Sequence, residues 1–181
     1  MKVSVTPIGK FDLGLAEDIC IGVSKVIPKV ECFVEDFSID LPREYYNPIR
    51  GQYHSTMLLY ELESRTRAST SHRILGVTEV DIYVPGMNFI FGEARLPGRC
   101  CLISTFRLRP ELYGLPRDRG ILLERCVKEA LHELGHTLGL QHCPLPLCVM
   151  HFSLNVYSVD RKKPDFCRNC RSKLERFIEA I

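Results

Sequence analysis

Nowhere in the 181 residues is there an apolar run near the ~18 that a membrane-spanning helix needs. The opening stretch MKVSVTPIGKFDLG lacks the apolar segment of a secretory signal, being broken by Pro7, Gly9 and Lys10. Net charge is nearly absent too. The 24 Lys and Arg against 22 Asp and Glu leave +2, too little to argue for a nucleic acid or an acidic membrane as obligatory partner. No internal repeat and no low-complexity linker divides the chain. These absences lead to the expectation of a cytoplasmic monomer that binds neither membrane nor nucleic acid.

What is present is an ordinary globular composition, 45% hydrophobic and 25% charged, in a chain long enough to bury a sizeable core. Nine cysteines stand out. In a reducing compartment they read as thiols and metal ligands rather than disulfides, and an odd count leaves one unpaired in any case.

Alternation in MKVSVTPI predicts a first strand, and Leu15 to Ile27 has the helical spacing of Ile19, Val23, Val26 and Ile27. VECFVEDFSI reads as a second strand, and Tyr53 to Arg67 as a helix with Ser55 as its N-cap. RILGVTEVDIYV, NFIFGEAR and RCCLISTFRL then read as strands separated by the turn dipeptides Pro85-Gly86 and Pro97-Gly98. Strands alternating with helices predict a twisted mixed sheet with a mainly parallel core, and short NFIFGEA suits an antiparallel edge. From Ile121 to Leu138 the apolar residues Leu123, Val127, Ala130, Leu131, Leu134 and Leu138 follow steps of three and four. Asp118 is the expected cap of that helix. Beyond Gly139 the chain becomes irregular until RSKLERFIEAI, an amphipathic terminal helix. The fold class expected is α+β, with α/β character in its first part.

The helix carries HELGHTLGLQH, residues 132 to 142. His132 and His136 are four apart, so both imidazoles project from one helical face, off the apolar stripe, and can reach one ion. Glu133 sits one step round the helix, placed to touch a water on that ion without ligating it. Zinc lowers the pKa of such a water to ~7, where a carboxylate can take its proton. Gly139 can adopt the left-handed conformation that ends a helix, bringing His142 back as a third ligand. Three nitrogens with a fourth position open describe a catalytic zinc, although iron or cobalt also fits a three-histidine site.

Cys143 follows the third histidine directly. Cys148 comes after four intervening residues, and Cys167 and Cys170 form a later C-x-x-C. Paired cysteines at such spacings point to a closed four-thiolate zinc site, each Zn–S bond ~2.3 Å. The expectation is two zinc ions per chain, the second stapling the irregular segment to the chain end. Arg161, Lys162, Lys163, Arg168, Arg171, Lys173 and Arg176 surround that pair and would balance its net charge of about −2. Cys20, Cys32, Cys100, Cys101 and Cys126 fall on expected strands or helices and read as small core residues.

The eleven-residue histidine motif followed by Met150 resembles the metzincin class of zinc metallopeptidases. With the cysteines added, and with CVMHFS, VDRKK and FCRNC, the chain resembles the archaemetzincins from His132 to Cys170. The resemblance implies a compact zincin fold as one metallopeptidase domain, residues 1–142 with the sheet and active-site helix and 143–181 as a smaller zinc-stapled part. It implies catalytic zinc on His132, His136 and His142, Glu133 as general base, and structural zinc on Cys143, Cys148, Cys167 and Cys170. Met150 would form a hydrophobic floor, and NFIFGEA an edge to which a peptide adds as a further strand. Some metzincins have a tyrosine where this chain has Phe152, so oxyanion stabilisation falls to the metal and to backbone groups. His151 is read as a neighbouring, non-ligating imidazole.

The activity expected is peptide-bond hydrolysis. An aminopeptidase would need an anion for the substrate ammonium, and Glu93 on the edge strand is the candidate. The rival reading is a zinc-organised peptide-binding module with little turnover; a basic nucleic-acid module is a third.

Overall fold

In the computed structural model, which describes residues 1–180, five strands form one sheet in the order β2-β1-β5-β8-β7. β1 (Lys2–Ile8), β2 (Glu31–Val34), β5 (Arg73–Thr78) and β8 (Cys100–Ser104) run parallel. β7 (Gly92–Ala94) closes one side antiparallel to β8. The parallel core with an antiparallel edge is as expected, and the central strands are buried nearly throughout, as a sheet covered on both faces requires.

Helices α1 (Leu13–Val26) and α3 (Arg119–Thr137) pack on one face, while α2 (Ser55–Arg65) covers the other. Each face therefore has its own apolar cluster. The larger lies between α1, α3 and the sheet, joining Val5, Ile19, Leu75, Ile103 and Leu131; the smaller joins Ile8, Leu58, Leu62, Ile74 and Leu102.

Several details differ from the sequence reading. Ser55 does not cap α2: it is buried inside the first turn, and His54 holds the N-cap position without a side-chain hydrogen bond. The second strand stops at Val34, five residues before Ile39, which makes only an isolated bridge to Ile8. The segment DIYV belongs to a second small sheet, where β6 (Ile82–Tyr83) pairs with β4 (Gln52–His54), and β4 with β3 (Tyr46–Asn47). A short helix α4 (Val156–Arg161) interrupts the irregular segment before α5 (Arg168–Glu179).

Candidate active site and metal centres

α3 brings the histidine motif together. Asp118 caps it, its carboxylate accepting from Ile121 N at 2.9 Å. The helix is buried on every side from Arg125 to Thr137, so His132 and His136 face a cleft rather than a solvated helix surface, while His142 beyond the helix is exposed. Gly139 has φ +85° and ends the helix with two reverse bonds, Leu140 N to Gly135 O at 3.0 Å and Gly139 N to His136 O at 2.9 Å. A β-carbon at Gly139 would also lie 2.7 Å from the Phe177 ring of α5. Glycine answers both demands, and the chain turns back to present His142.

One donor atom from each of His132, His136 and His142 lies within 4.8 Å of the others. Nδ1 of His132 meets Val149 O at 2.8 Å and Nδ1 of His136 meets Leu140 O at 2.7 Å. Those bonds leave both Nε2 atoms turned inward, 3.1 Å apart, close to the about 3.3 Å edge of a tetrahedron with ~2.0 Å metal–nitrogen bonds. Burial lowers the pKa of all three imidazoles, most strongly at His132, with the Lys162 ammonium pushing the same way. Neutral rings are the form that ligates.

Glu133 is 5% exposed and borders the cleft. Burial, then the neighbouring Glu129 carboxylate, raises its pKa well above the ordinary range, opposed by Lys162. Its side chain lies against the backbone of β7: a β-carbon at Gly92 would stand 2.7 Å from Glu133 Cγ and Oε1. Phe152 borders the same cleft, its ring 4.9 Å from that of His142. Met150 is fully buried, directly beneath the helix at Gly135. His151 stands outside the imidazole trio, bonded through Nδ1 to Cys143 O at 2.9 Å.

Glu93 borders the same cleft; Thr56 Oγ1 of α2 donates to its Oε1 at 2.8 Å, and its carboxylate adds to the raising of the Glu133 pKa.

The four cysteines Cys143, Cys148, Cys167 and Cys170 also converge, their Sγ atoms within 4.8 Å of one another. Cys143 and Cys167 Sγ are 3.8 Å apart, which matches the about 3.8 Å edge of a tetrahedron with 2.3 Å metal–sulfur bonds. Cys167 N donates to Cys148 Sγ at 3.3 Å.

The cations expected around this tetrad divide. Lys162 is wholly buried and pairs instead with Glu129, Nζ to Oε1 2.7 Å, and Arg171 pairs with Asp165. Arg161, Lys163, Arg168, Lys173 and Arg176 stay exposed. Of the remaining cysteines, Cys20, Cys100, Cys101 and Cys126 are buried as expected, while Cys32 is half-buried with its sulfur 2.6 Å from that of Cys20. The Glu129–Lys162 pair was missed in the sequence, where the only signal was the spacing of four from Glu133.

A family model described as peptidase family M54 matches residues 17–176. The chain belongs to this family of zinc metallopeptidases. Its relatives carry the name archaemetzincin: that of Methanocaldococcus jannaschii is 40% identical over 97% of this chain and 93% of its own length. The crystal structure of archaemetzincin from Methanopyrus kandleri superposes with a TM-score of 0.87 at 39% identity, covering 99% of this chain and 96% of that one. A zinc-dependent peptidase from Methanocorpusculum labreanum does so with a TM-score of 0.86 at 31% identity, over 95% and 99% of the two chains. The M54 match thus spans both metal-type donor groups, the three-histidine and the four-cysteine, and none of the helices described is long and apolar enough to cross a membrane.

Proposed function

We propose that His132, His136 and His142 hold the catalytic zinc of this M54 peptidase, and that Cys143, Cys148, Cys167 and Cys170 hold a second, structural zinc. The chain then acts as one metallopeptidase domain, with residues 143–181 as a smaller part organised by sulfur. The observation that carries the reading is the convergence of three imidazoles, His132 and His136 buried and His142 exposed, beside a buried carboxylate in one cleft.

The zinc, when bound, supplies polarisation of the scissile carbonyl and acidification of the attacking water. Glu133 takes the proton from that water and delivers it to the leaving nitrogen. Desolvation makes its carboxylate a stronger base than one in water. The close backbone at Gly92 fixes its direction. β7 ends the sheet with its outer edge unpaired by any described strand, so an extended peptide can add there through main-chain hydrogen bonds. Phe152 offers no hydrogen-bond donor, so no side chain at that position assists the oxyanion.

Digesting a peptide library with metal-loaded protein and with Glu133→Gln tests this. The variant should lose turnover by about 10²–10⁴-fold while keeping both metals on elemental analysis. Cleavage at the parent rate would refute the base. A peptide supplied free and N-acetylated distinguishes trimming of N-termini, which the acetyl group blocks, from internal cutting, which it does not.

A further inference from the structure

Glu129, like Glu93, is a carboxylate of the cleft that this mechanism leaves unused. It stands four residues before Glu133 on α3, so the two side chains project from one helical face a turn apart, and both border the cleft. Its side chain is 4% exposed, and its clamp Lys162 is 0% exposed. The ammonium therefore cannot touch a substrate; it holds the carboxylate oriented. A carboxylate has more acceptor positions than the one bond from Lys162 occupies, and the cleft is where the rest are offered.

The direction of the substrate follows from the proton path, and here the inference rests on Glu133 as the base. Glu133 returns its proton to the leaving nitrogen, so the residue beginning with that nitrogen lies on Glu133's side of the imidazole trio. Passing along α3 from His136 through His132 and Glu133, Glu129 is the next group on that face. The side chain directly after the scissile bond is thus the part of the substrate that reaches it. The walls on the way are apolar, among them Phe89, Phe91 and Leu154.

Apolar walls that end in a buried, oriented carboxylate match a long aliphatic stem with a cationic tip. We infer that the cleft selects Lys or Arg immediately after the bond it cuts, and that Glu129 is the residue that reads the cation. A leucine there would desolvate the carboxylate without offering a donor. A glutamate would set like charges together. The metal's positive charge does not favour a cation at long range, so selectivity comes from direct contact with Glu129.

The test uses four fluorogenic peptides that differ only at this position, carrying Arg, Lys, Leu or Glu, with metal-loaded protein. Arg and Lys peptides should exceed Leu by about tenfold in kcat/KM, with Glu slowest. Glu129→Gln should lower the Arg:Leu ratio by about tenfold, and the ratio is unaffected by any inactive fraction. Since that variant leaves Lys162 buried without a counter-charge, E129L/K162M supplies an apolar pair instead, and its ratio should invert toward Leu. Binding to metal-loaded Glu133→Gln protein gives a second readout, in which the Arg peptide binds about tenfold tighter than the Leu peptide. This arm reports selectivity even where nothing is cut, and so separates failure of the base assignment from failure of this inference. Equal kcat/KM and equal Kd for the Arg and Leu peptides, or a ratio unmoved by Glu129→Gln, would overturn it.

Discussion

A β-carbon on Gly135 would stand 2.4 Å from Sδ of Met150. The single glycine of HELGH is therefore the space in which the methionine lies, and through it the segment after His142 packs directly under the histidine-bearing helix. Gly135→Ala should cost about 1–3 kcal/mol through overpacking, read as a Tm several degrees lower. Met150→Ala should cost about 2–5 kcal/mol. The double variant should lose less than the sum, because the alanine methyl enters the space the thioether leaves. Additive losses would show that the two do not share one space.

His142→Ala should remove one metal and leave the other. The thiolate tetrad is built from different side chains, so elemental analysis should fall from two zinc ions to one, with the fold retained by circular dichroism. Loss of both together would mean that the sites are not separable.

C167S/C170S should act in the reverse direction and more broadly. It removes half of the sulfur donors, and His142 and Cys143 are consecutive, so the third imidazole loses its backbone anchor. Zinc affinity of the histidine site should drop by about 10–100-fold, the usual effect of losing support around a ligand. Competition with a chromophoric chelator measures it.

The metal-stripped protein should show opposing pH dependences. Glu133 has a folded-state pKa raised well above its usual 4.5. Its contribution is fully present below pH 4.5 and is lost as pH rises through the raised value. The histidines are shifted below 6.5, so theirs is present above that pH and is lost as pH falls. Glu133→Gln removes only the first effect. Metal-free Glu133→Gln should therefore melt above metal-free parent at pH 8, and the gap should narrow toward pH 5. An equal gap at both values would contradict the buried, costly carboxylate.

The parts legible in the sequence are those whose causes are local. Asp118 and Gly139 are start and stop signals that act within a turn, and the steps of three and four between them give α3 almost to the residue. The donor sets follow from spacing, because the helical face brings His132 to His136 and the glycine returns His142. What failed needed distant partners. β3 and β6 have two residues each, too few for a period to register. Lys162 read as one of the cations balancing the thiolate tetrad, since nothing nearby in the chain indicates that it crosses to Glu129 on α3, 33 positions away.

Phe177 resting on Gly139 makes α5 a strut for the corner that carries the last imidazole. A change in that ring is consequently felt at His142, although it lies dozens of positions downstream.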